Sequence, residues 1–517
     1  MRGAGYGRSV STPDDLVRAA RPATPVRSSL RELAGWLAGV TAVRTSGELD
    51  AEVTGLSLSS QRILPGDLYA ALPGSRAHGA DFAADALASG AVAVLTDEDG
   101  AARLPAGTSA LVVDLPRAVL GRLAAHVHGD PAASMTVIGV TGTQGKTTTT
   151  RLLEGGLQVA GVPAGVVGTV GTRIAGRDVK TALTTPEAPD LHALFAVMRE
   201  RGVEVCAMEV SSHALVLGRV DGVVFDVATF LNLGRDHLDF HRDVEDYFAA
   251  KSSLFTPARA RQGLASVDDE FGRRLVAEAT IPMSTFSAEG AEADWRAVDV
   301  DATGEGSRFT VLGPDGLTIR ASVPVPGLFN VANALAGIAS AALAGLDPHL
   351  VARGIAGGAG VPGRLERVDA GQDFTAVVDY AHKPDALEAV IATLRPLTEG
   401  RVIVVIGAGG DRDPGKRPMM GEIAARLADV VVVTDDNPRT EDPAAIRAAV
   451  LRGTASGAAE VVEQGDRRLA IREAVRRAAP GDVVLVAGKG HETGQEMGGE
   501  VHPFDDRLVV AEEIRAR

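Results

Sequence analysis

The chain has 517 residues, of which 45% are hydrophobic and 23% charged, and its formal net charge is −15 at pH 7. This length is too great for a single core and predicts about three domains, and the composition is typical of a soluble globular protein. The negative charge disfavours a general nucleic-acid binder, and the single cysteine excludes an internal disulfide. No apolar run reaches the roughly 18 residues that a membrane span needs. We predict a cytoplasmic monomer without nucleic-acid partners or membrane spans.

The N-terminal part of the chain divides into two predicted segments. Residues 1–27 contain Gly, Pro, Ser and Arg without an apolar core, which predicts a disordered extension rather than a signal peptide. Residues 28–132 predict a small α/β domain, in which Ser28 or Ser29 caps a helix through Leu37. Short β-prone runs follow at 68–72, 92–95 and 111–113.

A glycine-containing turn stands between a predicted strand and a predicted helix. It reads Gly142-Thr-Gln-Gly-Lys-Thr147, and Val140 occupies the place of the first glycine in the commonest phosphate-loop motif. Backbone N–H groups of such a turn face phosphates, Lys146 meets the outer phosphates, and a threonine hydroxyl can bind Mg²⁺. We predict a nucleotide site here, against the alternative of an ordinary turn. Its predicted ATP-binding residues are Gly142, Thr143, Gln144, Gly145, Lys146, Thr147 and Thr148.

The rest of the chain alternates strands and helices and predicts two further α/β domains. In residues 133–364 this alternation predicts a mainly parallel sheet of the P-loop ATPase type, followed by a hairpin at 309–319 and a helix at 330–344. Residues 365–517 predict a Rossmann-like, doubly wound sheet with its ligand edge at the carboxyl ends of the strands. Its predicted strands are 376–380, 402–406, 430–433 and 483–486. The predicted fold class is therefore α/β with three domains.

Two polar segments follow consecutive predicted strands, Glu209–His213 and Asn232–His241. A carboxylate at the carboxyl end of a strand is typical of a metal or substrate ligand, although Ser211 or Ser212 could instead cap a helix. The His and Asp residues of the second segment suit Zn²⁺ as well as Mg²⁺, and the phosphate loop favours Mg²⁺. His241 could equally lie at the surface. The pattern around Lys251 predicts an exposed charge on a helix.

Together these motifs resemble those of the Mur ligases, ATP-dependent enzymes that form the amide bonds of the peptidoglycan stem peptide. The resemblance runs from about Ser28 to the C-terminus, and Lys251 falls on the lysine that the family carboxylates with CO₂. It implies a catalytic set of Lys146, Lys251, Glu209, His237 and Arg364. It also implies about two Mg²⁺ ions, with Thr147, Glu209, His237 and the carbamate of Lys251 as ligands.

The resemblance also assigns the two larger substrates. Asn330, Asn333, Arg364 and Asp379 match ATP contacts, although Asn330 and Asn333 alone would be interpreted as caps at a helix start. The residues that match contacts to the UDP-muramoyl-dipeptide are Thr184, Thr185, Ser211, Arg219 and Lys251. Ser59-Ser60-Gln61 departs from the usual Asp-Ser-Arg, which leaves Ser57 and Ser60 as candidates for the uridine end.

The third substrate is assigned by the segment Asp436-Asn437-Pro438-Arg439. This form is associated in the family with meso-diaminopimelate, and a guanidinium fork can bind the extra carboxylate of that amino acid bidentately. Arg412, Gly488 and Glu492 match the other amino-acid contacts, with Glu492 facing the far ammonium. The alternative is an ordinary turn at Asn437-Pro438 and a surface position for Arg439.

The resemblance implies a ligase that uses ATP and an acyl phosphate to add meso-diaminopimelate to the D-glutamate of UDP-N-acetylmuramoyl-L-alanyl-D-glutamate. Four alternatives stay open. The same reaction could use L-lysine or LL-diaminopimelate, or the chain could be another ligase of this architecture, such as the fourth-step Mur ligase or a folylpolyglutamate synthase. It could also be a P-loop ATPase without ligase activity, or a non-catalytic binding relative.

Overall fold

The computed structural model describes residues 17–303 and 306–517, which form two compact units. Unit 1 contains the described residues up to Lys146, with Ala160–Thr285 and Ser340–Leu346. Unit 2 contains Thr147–Val159, the described part of Phe286–Ala339, and Asp347–Arg517. The predicted boundaries of the extension and of the three domains, at 27/28, 132/133 and 364/365, stay predictions.

The first part of unit 1 is a small α/β layer. Its strands are β1 (Ser28–Ser29), β2 (Arg44–Ser46), β3 (Glu52–Val53), β4 (Gly55–Ser57), β5 (Asp67–Ala70), β6 (Ala93–Thr96) and β7 (Ala110–Val112). Its helices are α1 (Leu30–Ala38), α2 (Ala83–Ala88), α3 (Glu98–Ala101) and α4 (Pro116–Val127). Five strands form a sheet in the order β2-β7-β6-β5-β4. Ser29 and Glu32 form a capping box on α1, which confirms the predicted cap.

Residues 17–27, the described part of the predicted disordered extension, make defined contacts. The Arg21 guanidinium donates to Asp67 at 3.3 Å, and the backbone N–H of Thr24 donates to Glu200 at 2.7 Å. The segment is thus anchored to both the small sheet and a helix of the next sheet. Residues 1–16 lie outside the described residues.

The second part of unit 1 contains the sheet that carries the phosphate loop. Its strands are β8 (Thr136–Thr141), β9 (Ala164–Val167), β10 (Thr172–Ile174), β11 (Arg177–Val179), β12 (Val205–Glu209), β13 (Phe225–Phe230) and β14 (Ala260–Ser266), in the order β11-β10-β9-β12-β8-β13-β14. The helices of this stretch in unit 1 are α6 (Ala188–Glu200), α7 (Ser212–Val216), α8 (Val244–Ser252) and α9 (Glu270–Glu278). The helix that follows β8, α5 (Lys146–Val159), belongs to unit 2 from Thr147 onward. The five strands from β9 to β14 in this order are parallel, which confirms the mainly parallel sheet.

Four further strands and two helices precede the last sheet. They are β15 (Met283–Ser287), β16 (Trp295–Thr303), β17 (Gly306–Leu312), β18 (Thr318–Val323), α10 (Leu328–Leu343) and α11 (Pro348–Ala356), with β15 at the division between the units. Strands β17 and β18 pair antiparallel around a 3₁₀ turn at Pro314–Gly316, as the sequence predicted. α10 corresponds to the helix predicted at 330–344.

The C-terminal part of unit 2 is a doubly wound sheet. Its strands are β19 (Glu366–Arg367), β20 (Thr375–Asp379), β21 (Val402–Ile406), β22 (Val430–Val433), β23 (Glu460–Glu463) and β24 (Val483–Ala487), in the order β19-β20-β24-β21-β22-β23. The helices are α12 (Pro384–Leu394), α13 (Lys416–Leu427), α14 (Pro443–Thr454), α15 (Arg467–Arg477) and α16 (Asp506–Arg515). A hairpin of β25 (Gly494–Met497) and β26 (Glu500–Pro503) was not predicted.

The apolar sequence of the central strands explains their burial. The valine and isoleucine residues of β21 and β22 are all buried, as expected where helices cover both faces of a parallel sheet. The predicted α/β fold class is confirmed. Among residues 17–303 and 306–517, no helix is both long and apolar enough to cross a membrane.

Candidate active site

The phosphate loop of unit 1 requires glycine at two positions. Gly142 has φ of 149° and Gly145 has φ of 86°, both in the region that favours glycine. A Cβ on Gly142 would lie 3.0 Å from the Cβ of Leu231 on the neighbouring strand end. The shorter glycine motif therefore reflects a close backbone approach as well as a turn.

Asn232, which follows the carboxyl end of β13, is hydrogen-bonded to the loop from one side. Its carbonyl accepts from the backbone N–H of Thr143 at 3.0 Å, and its side-chain oxygen accepts from that of Gln144 at 2.9 Å. The Thr143 hydroxyl in turn accepts from the backbone N–H of Gly234 at 2.9 Å. Because these bonds come from an adjacent strand end, the sheet itself fixes the conformation of the loop.

Two lysines converge on one carbonyl oxygen of the loop. Lys146 Nζ donates to the Gly142 carbonyl at 2.7 Å, and Lys251 Nζ donates to the same oxygen at 2.9 Å. Lys251 is 1% exposed, so the expectation of an exposed charge is wrong. Two ammonium groups held against one oxygen repel each other, and burial of one of them strengthens that repulsion.

Tyr247 connects Lys251 to the loop and was missed from the sequence. Its ring lies 4.6 Å from Lys251 Nζ, and its hydroxyl hydrogen-bonds with the Thr143 hydroxyl at 3.2 Å. Burial raises the pKa of the Tyr247 phenol, so it stays protonated. The spacing of four residues between Tyr247 and Lys251 on a helix was the available signal.

Glu209 ends β12 next to the strand that leads into the loop, in register with Val140. The carboxylate is 1% exposed, and its two oxygens accept from Thr169, one from the backbone N–H at 2.8 Å and one from the hydroxyl at 3.1 Å. Thr169 lies forty positions away in sequence, and no sequence pattern indicated it.

The predicted dipeptide-binding residues form a chain beside Glu209. The Thr184 hydroxyl hydrogen-bonds with that of Thr169 at 3.0 Å, and the Thr185 hydroxyl donates to the Glu209 carbonyl at 2.9 Å. Ser211 Oγ accepts from the third residue of α7 at 3.2 Å, so the helix-cap interpretation is confirmed for Ser211. Its predicted contact with substrate stays a prediction.

Arg219 and the uridine-side serines lie in separate surroundings. Arg219 Nε donates to Glu187 at 2.7 Å, which fixes its guanidinium. Ser57 is buried and exchanges hydrogen bonds with the backbone of Ser59, whereas Ser60 begins a 3₁₀ helix at Ser60–Arg62. The roles of Arg219, Ser57 and Ser60 in substrate binding stay predictions.

The segment after β13 forms a compact group of rings. His237 has φ of 52° and pairs with Asp236 at 3.2 Å through Nε2, and the ring of His213 lies 4.8 Å away. Burial lowers the pKa of His213. The Asp–His pair orients the His237 imidazole in the way that carboxylates orient metal-binding histidines.

His241 is buried, so its interpretation as a surface residue is wrong, and both of its ring nitrogens are hydrogen-bonded. It is 2% exposed, its Nε2 hydrogen-bonds with Ser212 Oγ at 2.9 Å, and its Nδ1 with Asp246 at 3.3 Å. In the described ranges no three His, Cys, Asp or Glu side chains form a metal-binding group. The predicted ligand set contains only two residues of these types, Glu209 and His237.

In unit 2, Arg364 lies against the first turn of α5. Its Nη2 donates to the Thr147 hydroxyl at 3.4 Å, and its guanidinium stacks 4.5 Å from the centroid of Tyr380. Burial raises the pKa of Tyr380 to about 12. Arg364 and Thr147 were both predicted to bind ATP, and the structure brings them together. Thr148 follows in the same turn and is buried.

Asp379 ends β20 and organises the turn after it. Its carboxylate accepts from the backbone N–H groups of Leu365 and Ala381, both at 2.7 Å. Burial raises the pKa of Asp379, and the nearby Arg364 guanidinium opposes that rise. Asp379 therefore ties the backbone beside Arg364 to the sheet.

Asn330 and Asn333 are buried within α10 rather than placed at its N-cap, so their interpretation as caps is wrong. Asn330 Nδ2 donates to the Pro326 carbonyl at 2.8 Å. Asn333 Oδ1 accepts from the Thr149 hydroxyl of α5 at 3.4 Å. Their predicted contacts with ATP stay predictions.

The predicted amino-acid segment follows β22 in unit 2. Asp436 is 7% exposed, and its Oδ2 has no hydrogen-bond partner among the described residues. Gly488 has φ of 118°, and a Cβ there would collide with Asp436 Oδ2. A buried carboxylate oxygen with spare accepting capacity needs a donor, and an amino-acid ammonium could supply one.

Asn437 and Glu492 are joined by a lysine that the sequence analysis did not single out. Lys489 is fully buried, and its Nζ donates to Asn437 Oδ1 at 2.9 Å and to Glu492 Oε2 at 3.1 Å. Asn437 Nδ2 also donates to Glu492 Oε2 at 2.9 Å. Because Lys489 can only donate, it fixes which end of the Asn437 amide faces Glu492. Pro438 continues the segment.

Arg439 is not an ordinary surface residue. Its side chain is 22% exposed, its Nη1 donates to the Gly410 carbonyl at 2.7 Å, and its Nε donates to Glu496 Oε2 at 3.1 Å. Arg412, by contrast, is exposed. The structure gathers Asp436 to Arg439 with Gly488 and Glu492, while the predicted role of Arg412 stays a prediction.

Comparison with known families gives three matches along the chain. Residues 52–128 match the model described as "Mur ligase family, catalytic domain". Residues 140–341 match the Mur ligase middle domain, and residues 363–490 match the Mur ligase glutamate ligase domain. These three segments follow the order of the three predicted domains.

Individual relatives are similar over nearly their whole length. A UDP-N-acetylmuramoyl-L-alanyl-D-glutamate--2,6-diaminopimelate ligase of Streptomyces avermitilis is 57% identical over 96% of this chain and 98% of its own. A protein of the same name from Corynebacterium efficiens is 53% identical over 90% and 91%. A solved structure of a ligase of that name matches with a TM-score of 0.67 and 31% identity, over 95% of this chain and 99% of that one.

Proposed function

Because the chain belongs to the Mur ligase family, we propose that it is the ATP-dependent ligase that adds diaminopimelate to UDP-N-acetylmuramoyl-L-alanyl-D-glutamate. The observation that carries the amino-acid assignment is the gathering of Asp436, Arg439, Gly488 and Glu492 in unit 2. It provides carboxylates for an ammonium and a guanidinium for a carboxylate, the two charges at each end of diaminopimelate. We propose the meso isomer as the substrate.

In the proposed reaction, two anions, the dipeptide carboxylate and the γ-phosphate of ATP, must react before the amine does. The dipeptide carboxylate attacks the γ-phosphate of ATP, forming an acyl phosphate and releasing ADP, and the amine of diaminopimelate then displaces phosphate. Lys146, on the Gly142 carbonyl, would neutralise charge that develops on the transferred phosphate, and Arg364, on the Thr147 hydroxyl, would do the same. The ring of Tyr247 and the buried strand ends limit the access of water to this region.

The residues fit the implied Mg²⁺ site by donor chemistry. Glu209 and the Thr147 hydroxyl offer the oxygen atoms that Mg²⁺ prefers, and Asp236 orients the His237 ring. Mg²⁺ bound by Thr147, Glu209, His237 and the carbamate of Lys251 would neutralise the phosphate oxygens. Thr169 would hold Glu209 in the orientation that this task requires.

The contacts of Lys251 favour the carbamate. A carbamate keeps one N–H, which can still donate to the Gly142 carbonyl, and it carries a negative charge. It would therefore replace the repulsion between Lys251 and Lys146 by attraction. Its burial would protect the labile adduct from water.

Phosphate release from ATP tests the proposal. Purified protein receives Mg²⁺, bicarbonate and UDP-N-acetylmuramoyl-L-alanyl-D-glutamate, and release is compared with meso-diaminopimelate, LL-diaminopimelate, L-lysine or no amino acid. We expect release and a new amide product, detected by mass spectrometry, with the meso isomer at the highest kcat/KM. Equal release without an amino acid would instead support a P-loop ATPase, and preference for lysine would overturn the amino-acid assignment. A cytoplasmic monomer remains our prediction.

A further inference from the structure

The hairpin β25–β26 is bonded along the amino-acid segment. The backbone N–H of Arg439 donates to the Glu496 carbonyl at 3.0 Å, and that of Gly498 donates to the Arg439 carbonyl at 2.8 Å. Gln495 Nε2 donates to the Asp436 carbonyl at 2.7 Å, and Glu496 N donates to Asn437 Oδ1 at 3.0 Å. The hairpin thus acts as a frame for the residues that face the amino acid.

This frame holds Arg439 in a conformation that a side-chain-bearing residue rarely adopts. Its φ is 54°, in the left-handed region, and both of its backbone polar groups are bonded to the hairpin. The direction in which the Arg439 side chain leaves the backbone therefore depends on β25.

Glu496 completes the placement of the guanidinium. Its Oε2 accepts from Arg439 Nε at 3.1 Å, while the Gly410 carbonyl accepts from Nη1 at 2.7 Å. With the planar group held at two points, the Nη2 donors and one hydrogen of Nη1 are left for a substrate carboxylate. That edge accepts a carboxylate in the bidentate geometry.

We infer that Glu496 is a positioning residue that sets the selectivity of this site for an amino acid with a second carboxylate at its far end. The inference rests on the proposed function, because it assumes that Arg439 binds that carboxylate. Glu496 is 41% exposed in its side chain, so the ion pair contributes little to folding, and its effect should appear in amino-acid binding.

Steady-state kinetics of Glu496→Ala test the inference. We expect its KM for meso-diaminopimelate to rise about tenfold, with the KM for ATP changed by less than about twofold, since the guanidinium loses one of two anchors. Glu500, in the same hairpin, has a side chain that is 81% exposed and serves as the matched control. Glu500→Ala should leave both constants unchanged.

A double-mutant cycle with Arg439 separates positioning from a general structural effect. If Glu496 acts through Arg439, Glu496→Ala should add less than about a twofold effect in an Arg439→Ala background. Glu496→Gln, which keeps an oxygen for Nε, should recover part of the affinity. Independent, multiplying effects of the two substitutions, an unchanged KM or a lower KM in Glu496→Ala would each overturn the inference.

Assays of the wild-type protein distinguish a wrong role for Glu496 from a wrong proposed function. If wild-type protein shows no release dependent on diaminopimelate, the proposed function is wrong and the inference falls with it. If wild-type protein is active and Glu496→Ala matches it, only the role of Glu496 is wrong. Unfolding in urea, compared between Glu496→Ala and Glu500→Ala, checks that both variants fold alike.

Discussion

The phosphate loop and the amino-acid segment are held in place by different parts of the fold. The loop is fixed by Asn232 at the end of the adjacent parallel strand, whose carbonyl accepts from Thr143 and whose side-chain oxygen accepts from Gln144. The segment Asp436–Arg439 is fixed by the side chains of Lys489, Gln495 and Glu496, together with backbone bonds between Arg439 and the hairpin. The first is an extension of the sheet, and the second depends on a short hairpin.

This difference separates two tasks of a ligase. In the proposed function, the chemistry common to every turnover takes place beside the end of the parallel sheet, whereas the amino acid is selected where a few side-chain exchanges can alter the site. Substitutions in the first region should lower kcat, and those in the second should raise the KM of one substrate. The following variants test this separation.

Lys146→Ala should have the largest effect. Loss of the cation that we propose faces the transferred phosphate should lower kcat by about 10³-fold or more, as for other electrostatic contacts made in a transition state. Phosphate release at saturating substrates measures it. Lys180, an exposed lysine of the same unit, gives the control Lys180→Ala, which should be fully active. If Lys146→Ala changed only the KM of diaminopimelate, the proposed separation between the phosphate loop and the amino-acid segment would be wrong.

Lys251→Ala should lower kcat by roughly 10²-fold or more, because it removes the carbamate proposed as a metal ligand. Short carboxylates such as formate or acetate should restore part of the activity in this variant and not in Lys146→Ala. Protein labelled with ¹³C-bicarbonate should show a carbamate resonance in the wild type that Lys251→Ala lacks. Wild-type activity in Lys251→Ala would contradict the assignment.

Arg439→Ala should raise the KM for meso-diaminopimelate by about 10- to 100-fold, the cost of losing a bidentate contact, with little change in the KM for ATP. Arg452, exposed on α14, provides the matched control Arg452→Ala. Equal effects of Arg439→Ala on both substrates would show that the segment does not select the amino acid separately.

The smallest effect concerns stability and a buried imidazole of unit 1. His128 is 1% exposed beside Arg21, His192 and Arg199, and burial lowers its pKa from 6.5 to about 3. It stays neutral when folded and gains a proton on unfolding below pH 6.5, so the free energy of unfolding should fall as the pH falls from there.

Urea unfolding at pH 7.5 and 5.5 measures this contribution, which we expect to be about 1 kcal/mol for His128. His128→Leu should reduce the loss of stability in acid. The exposed His349 provides the control His349→Leu, which should retain the full loss. An identical pH dependence in all three proteins would show that His128 is not buried as a neutral group.

Whether a feature could be predicted from the sequence depends on whether it is signalled locally along the chain or arises from contacts between distant residues. Strands β21 and β22 and the hairpin of β17 and β18 were predicted because apolar runs and a Pro-Asp-Gly turn are local signals. Glu209 could be placed at the carboxyl edge of the sheet because it directly follows an apolar β-prone run.

Contacts between distant side chains left no such signal. The bonds from Thr169 to Glu209 and from Lys489 to Asn437 depend on how the chain packs, and so does the burial of Lys251. The hairpin β25–β26 did carry a local sign, Gly498-Gly499, which is typical of a two-residue turn between strands. It was overlooked because the strands on either side are polar.

The Gly142 carbonyl is the atom on which both site lysines meet, and it belongs to the main chain. No side-chain substitution can remove this carbonyl. An alanine scan would therefore detect the effects of the two lysines, but not the effect of the acceptor between them. Replacing residue 143 by its α-hydroxy acid would turn the 142–143 amide into an ester and weaken that carbonyl as an acceptor. Backbone chemistry, rather than side-chain mutagenesis, is thus the tool that reaches the centre of this site.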